Sequence, residues 1–477
     1  MAGDFLGGLS RGDTIVAPAT IVGHSALAVL RVSGRECGRI VSEGFRRMDG
    51  GAQEGFEPRR VYLGWWKREG EALDQVTVVY YAGPASYTGE DMLEITCHGG
   101  RATVAAILGS LVAAGARLAE AGEFTLRAFI AGKVDLPEAE AIEALVGARN
   151  ERARRLAVRQ LSGDLSRVLE GLKSELTDAA VEIESALEFP EEQLGTGERG
   201  RLEALLAGLE ERGRRLLLAG EREALYQRGH SVVLLGRPNV GKSTLLNAIL
   251  GRERALVSAI AGTTRDLLEE ELLMGGRVCK LIDGAGLCET ADAVERLGIE
   301  RIKAAAAEAW AWILVAEAGP EERVKGEVEA LLAELPAAGC VKMVVLTKAD
   351  LYPAVLLQRA GPGGWQAQHA AQLRAVPVCA LTGEGIAELL EALGASLGEA
   401  PPPEGEDAFL LSERQRAGLE TLVASLAENR RRLEEGETLD VLAEGLRESH
   451  AALGELLGEK VRADIVGEIF RRFCIGK

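Results

Sequence analysis

No apolar run in these 477 residues reaches the length of a membrane span. The opening stretch, MAGDFLGGLSRGDTIVAPAT, lacks the basic segment followed by an apolar one that marks a secretory leader. A cytoplasmic location is expected. Cysteine is present but unorganised: Cys37, Cys97, Cys279, Cys288, Cys340, Cys379 and Cys474 form no CxxC or CxxH pair, which argues against a zinc site and a disulfide framework. Basic charge is short as well. Fifty-five Lys and Arg face 73 Asp and Glu, a net charge of −18, unusual for a protein whose main affinity is for nucleic-acid phosphates. If the chain serves RNA, a partner is expected to supply much of the grip.

What remains has a globular composition, 47% hydrophobic and 27% charged, and the length suits about three domains. From Asp13 to about Lys133, apolar runs such as ALAVLRV (26–32) and DQVTVVYY (74–81) alternate with glycine-rich connections, which reads as a small α+β domain over residues 1–133. Residues 134–227 turn helical, as in EAEAIEALVGARNERARRLAVRQL (138–161). Over 228–387, the short apolar segments SVVLLG (231–236), RVCKLID (277–283), WAWILVA (310–316), VKMVVLT (341–347) and VPVCAL (376–381) are separated by helical stretches. That pattern is a doubly wound parallel sheet. Helical composition returns over 388–477, after the joint EAPPPEGED (399–407). The arrangement suggests an α/β domain inserted into a single helical domain, although two separate bundles fit the sequence too.

The chemistry concentrates in the α/β segment. Gly236-Arg-Pro-Asn-Val-Gly241-Lys242-Ser243 fits GxxxxGK[ST] between a strand and the helical run TLLNAIL (244–250). Its glycines let backbone N–H groups face a β-phosphate, Lys242 reaches the β- and γ-phosphates, and the Ser243 hydroxyl ligates Mg²⁺. Thr264, in AGTTRD (261–266), is expected to ligate Mg²⁺ and sense the γ-phosphate. Asp283-Gly284-Ala285-Gly286 ends a strand, with its carboxylate toward Mg²⁺ and the Gly286 N–H toward the γ-phosphate. Thr347-Lys348-Ala349-Asp350 ends the next, where the Asp350 carboxylate can accept both N1–H and the 2-amino group of guanine, a pair adenine does not offer. The expected nucleotide set is Asn239, Val240, Gly241, Lys242, Ser243 and Thr244; Ser258, Ala259, Ile260, Ala261, Gly262, Thr263 and Thr264; Asp283 to Gly286; Thr347 to Asp350; and Cys379, Ala380 and Leu381. The ordered series favours GTP over ATP.

Two positions depart from the usual DTAG and NKxD. Gly284 replaces a threonine and should loosen its loop; Thr347 replaces an asparagine, keeping a hydroxyl but not an amide. Leu287 stands where Ras-like enzymes orient water with glutamine, so another residue must do this. Glu295, in AVERLGIERIKAAAAEA (293–309), is the candidate for that catalytic role beside Lys242 and Thr264; the alternative is an ordinary solvated glutamate.

SYTGEDMLEITCHGG (86–100), AGEFTLRAFIAGKVDLPEAEAIEALV (121–146), GRPNVGKSTLLNAI (236–249), AGTTRD, DAVERLGIER (292–301) and the terminal FCIGK (473–477) resemble the tRNA-modification GTPase family MnmE, also called TrmE. The likeness runs from about Asp13 to Lys477. It implies an α+β folate-binding N-terminal domain that dimerises, an all-α helical domain and an inserted P-loop G domain. It also implies a flavin-dependent partner, MnmG (GidA), carrying FAD and much of the tRNA surface. Together the two would install an aminomethyl or carboxymethylaminomethyl group at C5 of the wobble uridine of certain tRNAs, with a methylene-tetrahydrofolate as carbon source. Arg31, Glu94, Lys133 and Lys477 correspond to 5-formyl-tetrahydrofolate contacts, and Cys474 to the family's C-terminal cysteine. Potassium is implied as well, with Asn239, Ser258, Ile260 and Thr263 as its ligands; Arg237 and Arg265, nearby in the sequence, are the competing candidates as arginine fingers. Two other readings compete. A ribosome-assembly or RNA-binding GTPase shares the G motifs but would carry a basic RNA module, and the C-terminal ninety residues offer neither a suitable GXXG loop nor net basic charge. A folate-binding regulator with a vestigial G domain fits poorly with intact Lys242, Ser243, Asp283 and Asp350.

Overall fold

The computed structural model describes residues 12–48, 55–188, 196–228, 230–253, 269–274, 277–283, 309–334, 341–352, 365–367, 370–396, 405, 407–459 and 463–476. The chain falls into two compact units, one of residues 1–148, 155–220 and 407–477, the other of 149–154 and 221–406. The second interrupts the first in sequence, so the α/β domain is an insertion.

The first unit begins with strands β1 (Ile15–Pro18), β2 (Leu27–Ser33), β3 (Phe45–Arg47), β4 (Val61–Arg68), β5 (Glu71–Tyr81), β6 (Met92–His98) and β7 (Arg117–Leu118). They form one sheet in the order β3-β4-β5-β6-β2-β1-β7, with β1 and β7 parallel and the other neighbours antiparallel. VYLGWWKR in β4 illustrates the cause. It buries Tyr62, Gly64 and Trp66 and leaves Val61, Leu63 and Trp65 exposed, the period-two pattern of a sheet with one packed face. Gly64 is needed there, since a Cβ would lie 2.3 Å from the Arg46 carbonyl oxygen. Helices α1 (Cys37–Gly44) and α2 (Arg101–Ala113) cover that face, and Ile40, Val104, Ile107 and Leu111 join Leu30, Leu93 and Ile95 in its core. The indole of Trp66 donates to Ser110 Oγ at 2.8 Å, so its polar edge is satisfied inside.

Helices α3 (Glu123–Ile130), α4 (Leu136–Val146), α5 (Glu151–Leu161), α6 (Asp164–Glu188) and α7 (Thr196–Arg228) follow. The continuous helical pattern of 138–161 is in fact split between α4 and α5, with Gly147 capping the first and the Asn150 side chain accepting the Ala153 N–H at the start of the second. After the insertion come α11 (Glu413–Glu434), α12 (Leu439–Leu457) and α13 (Ala463–Arg471), the intervening numbers falling to helices of the insertion. Leu169, Leu172 and Leu176 of α6, Leu202, Leu206 and Leu209 of α7, Leu419, Leu422 and Leu426 of α11, and Leu446 and Leu453 of α12 share one core. Their three- and four-residue spacing places each set on one helix face. The helical blocks before and after the insertion are therefore one domain.

The second unit holds β8 (His230–Leu235), β9 (Glu269–Met274), β10 (Arg277–Asp283), β11 (Ala311–Glu317), β12 (Val341–Thr347), β13 (Trp365–Ala367) and β14 (Ala370–Pro377), in the order β13-β14-β12-β11-β8-β10-β9. The inner five are parallel; β9 and β13 are antiparallel edges that the sequence pattern did not reveal. Successive β8 residues enter opposite layers. Val232 and Leu234 pack with α8 (Lys242–Glu253) and α10 (Ile386–Ser396), Val233 and Leu235 with α9 (Glu321–Glu334). Burial on both faces explains the unbroken apolar runs. The strand expected over 376–381 ends at Pro377, because Cys379 instead turns back to bridge Glu384.

Candidate functional site

β8 pairs with β11 on one side and β10 on the other, so the chain leaves β8 at the point where strand order reverses, the usual ligand position in such sheets. There the backbone tightens. A Cβ on Gly236 would lie 2.4 Å from the Val315 carbonyl oxygen, and Asn239 and Gly241 have φ of 64° and 95°. Helix α8 starts at Lys242, which is only 6% exposed and donates to the Gly236 and Arg237 carbonyls at 3.0 and 2.9 Å. The ammonium is thereby fixed within the loop at a helix N-terminus, where a polyphosphate binds. Val240 is buried; Asn239, Ser243 and Thr244 are exposed.

Ser243 Oγ donates to Asp283 Oδ2 at 2.7 Å across β8 and β10, and Asp283 Oδ1 is buried with no hydrogen-bond partner among the described residues. A hydroxyl beside a carboxylate with a spare lone-pair oxygen is a hard-donor set suited to Mg²⁺.

Thr347 closes the other side of the loop. Its hydroxyl, 2% exposed, lies 2.5 Å from the Val240 carbonyl oxygen and 3.2 Å from that of Ala316, ready to donate to either. The missing amide is thus replaced by a hydroxyl that ties β12 to the phosphate loop. Lys348, at φ 54°, pairs with Glu317 at 2.8 Å, a partner that sequence spacing could not suggest. Ala349 is buried and donates to the Val378 carbonyl, which leaves Asp350 exposed on a single 3₁₀ turn. Cys379 is buried, Ala380 is half-buried and Leu381 is exposed on the adjoining turn. Gly385 is required in that turn, because a Cβ would meet the Pro377 carbonyl oxygen at 2.2 Å. Phosphate loop, Asp283 and the turns that carry Asp350 and Cys379 therefore gather at the carboxyl ends of β8, β10, β12 and β14. Ser258 to Thr264, Gly284 to Gly286 and Glu295 lie outside the described residues, as does Lys477.

In the first unit, β2 and β6 place Arg31 directly opposite Glu94, and Arg31 Nε and Nη2 donate to Glu94 Oε1 at 3.1 and 2.8 Å. Tyr81 OH donates to Glu94 Oε2 at 3.2 Å, and the Gly476 carbonyl lies 3.5 Å from Arg31 Nη1. The guanidinium carbon stands 5.5 Å from the centre of the Tyr87 ring and 5.9 Å from that of Phe124. Burial and the Glu94 charge raise the Tyr81 pKa, and burial raises that of Tyr87, so both phenols stay protonated. Lys133 is exposed beyond the end of α3, and Cys474 is exposed too. Tyr81, Tyr87, Phe124 and Gly476 escaped sequence reasoning, since only the β5–β6 register and the return of the C-terminus bring them together.

Comparisons with known proteins agree with this architecture. The family model described as the MnmE helical domain matches residues 136–474, and that described as the N-terminus of the GTP-binding protein TrmE matches 14–133. Three relatives carry the name tRNA modification GTPase MnmE. That of Thermus thermophilus is 40% identical over 476 residues, covering 98% of this chain and 99% of its own length. Those of Moorella thermoacetica and Thermotoga petrophila are 37% and 36% identical, each over 98% of this chain and 99% and 100% of their own lengths. With both ends and the interior matched, the chain belongs to the MnmE family of tRNA modification GTPases.

Proposed function

We propose that this GTPase uses its hydrolytic cycle to drive modification at C5 of the wobble uridine of certain tRNAs. It would work as a homodimer with the flavin-dependent partner MnmG, adding an aminomethyl or carboxymethylaminomethyl group whose carbon comes from a methylene-tetrahydrofolate. The observation that carries the reading is the tie from Thr347 through the phosphate loop to the Ser243–Asp283 pair, in a chain whose two ends also match the family.

In this account Lys242 and the loop N–H groups hold the β- and γ-phosphates, and Asp350 accepts from the guanine edge. Ser243 and Asp283, with Thr264, would hold Mg²⁺, which supplies positive charge where it develops in phosphoryl transfer. Glu295 orients the attacking water in place of the absent glutamine. Asn239, Ser258, Ile260 and Thr263 would supply oxygen ligands to K⁺, whose positive charge would serve in place of an arginine finger. Arg31, Glu94, Lys133 and Lys477 would hold the reduced folate: the paired Arg31 and Glu94, beside the Tyr87 and Phe124 rings, offer donor and acceptor to a pterin edge, and the lysines suit its glutamate tail. An acidic chain fits a division of labour in which the partner grips the tRNA. Cytoplasmic action is part of the same reading.

Nucleoside analysis of tRNA from cells lacking this chain tests the pathway. Loss of the modified wobble uridine is expected; an unchanged nucleoside profile contradicts it.

A further inference from the structure

Arg127 lies on α3, three residues after the Phe124 whose ring stands near Arg31, and is 5% exposed. Its guanidinium donates to the Asp13 carbonyl and Glu90 Oε2, both at 2.9 Å, and to Asp13 Oδ1 and Glu123 Oε1 at 2.8 and 2.9 Å. Arg117 completes the cluster through Asp13 and Glu123. Two cations thus meet three carboxylates around a buried centre: Arg127 and Glu123 are buried, while Asp13, Glu90 and Arg117 form a partly exposed rim, and for the buried pair an apolar packing would serve stability as well or better. Such a network points to a task other than stability.

What it holds is the segment 87–90. Glu90 Oε2 also accepts from Ser33 Oγ at 2.8 Å, and Ser33 Oγ lies 2.7 Å from Thr88 Oγ1; Ser33 and Thr88 are fully buried. Ser33 sits two residues beyond Arg31 on β2, hence on the same face of the strand. From the other side, Thr125 of α3 pairs with the Tyr87 hydroxyl at 2.9 Å. The clamped segment presents the Tyr87 ring to Arg31. It also brings Gly89, at φ 79°, so close to the end of α3 that a Cβ would lie 2.9 Å from Ala131 Cβ and 3.5 Å from Lys133 Cε.

We propose that Arg127 and Glu90 are positioning residues for ligand binding at the Arg31–Glu94 site: their ion pair fixes segment 87–90, and with it Tyr87 and the approach to Lys133. The inference rests on the reduced-folate reading of that site. Arg127 suits the role because its planar fork reaches three acidic residues at once, which a lysine cannot.

Calorimetric titration of the full-length chain with 5-formyl-tetrahydrofolate, each variant held below its melting temperature, tests this. Glu90→Ala is expected to weaken binding roughly tenfold, as loss of one charge-assisted support does. Glu90→Gln keeps an acceptor for Arg127 and should recover most of that loss, a rescue that general loosening of the fold would not give. Arg127→Lys should bind as weakly as Glu90→Ala. Native affinity in folded Glu90→Ala overturns the positioning role while leaving the folate reading intact. Failure of the unaltered chain to bind overturns the folate reading and this inference with it.

Discussion

Thr347 stands where an asparagine is usual, and the loss of its amide suggested weakened nucleotide binding. Its hydroxyl nonetheless reaches the Val240 carbonyl oxygen from a fully packed position, so a smaller side chain keeps the link between the turn after β12 and the phosphate loop. Removing it strands a buried carbonyl. Thr347→Ala should weaken GTP by about 1–2 kcal/mol, roughly tenfold in Kd, in nucleotide titration; an unchanged Kd would mean that the tie does not shape the loop. Asp350 makes a sharper case because its role concerns hydrogen-bond direction. Asp350→Asn puts an amide donor against the donors of guanine, so the variant should lose GTP and gain xanthosine triphosphate, whose 2-carbonyl accepts. Measuring both affinities decides, and retained preference for GTP removes Asp350 from base reading.

Helix α4 shows how one side chain secures an element. Glu140, buried near the N-terminus of α11, accepts from Ser412 Oγ, Arg414 Nε and Nη2, and Gln415 Nε2 at 2.9, 3.0, 2.7 and 2.5 Å. Ser412 and Gln415 also form the capping box of α11, so the carboxylate anchors the chain as it returns to the helical domain. Glu140→Ala takes the acceptor from those donors and the counter-charge from a partly buried guanidinium, which keeps only the Glu455 and Leu456 carbonyls. It should cost about 3–5 kcal/mol in urea unfolding of the helical domain; a loss below about 1 kcal/mol would contradict the anchoring. At this scale the sequence was informative where periodicity was strong. The parallel strands and long helices are readable because burial on both faces or on one stripe imposes a simple pattern. Edge strands β9 and β13 left no such mark, and the continuous helical composition of 138–161 hid a break governed by Asn150 and Gly147. The G motifs were legible because phosphate chemistry fixes their spacing. Tyr81 and Tyr87 were not, because their meeting with Arg31 depends on strand register and on the clamped loop.

For the whole molecule, the reading of hydrolysis turns on what replaces an arginine finger. A cage of carbonyl and amide oxygens sized for K⁺ binds Na⁺ poorly, whereas ionic strength alone treats the two salts alike. Turnover in KCl should therefore exceed turnover in NaCl at equal ionic strength, and Asn239→Ala should erase the difference. Equal native rates, with collapse only in Arg237→Ala or Arg265→Ala, would assign the role to an arginine. In the proposed function, GTP turnover at Lys242, Ser243 and Asp283 powers wobble-uridine modification. The direct measurement is mass-spectrometric nucleoside analysis of tRNA from cells lacking the native gene and supplied with either the unaltered chain or Asp283→Ala at equal abundance. The account predicts restored C5-modified wobble uridine with the unaltered chain and none with Asp283→Ala; equal restoration by both would contradict it.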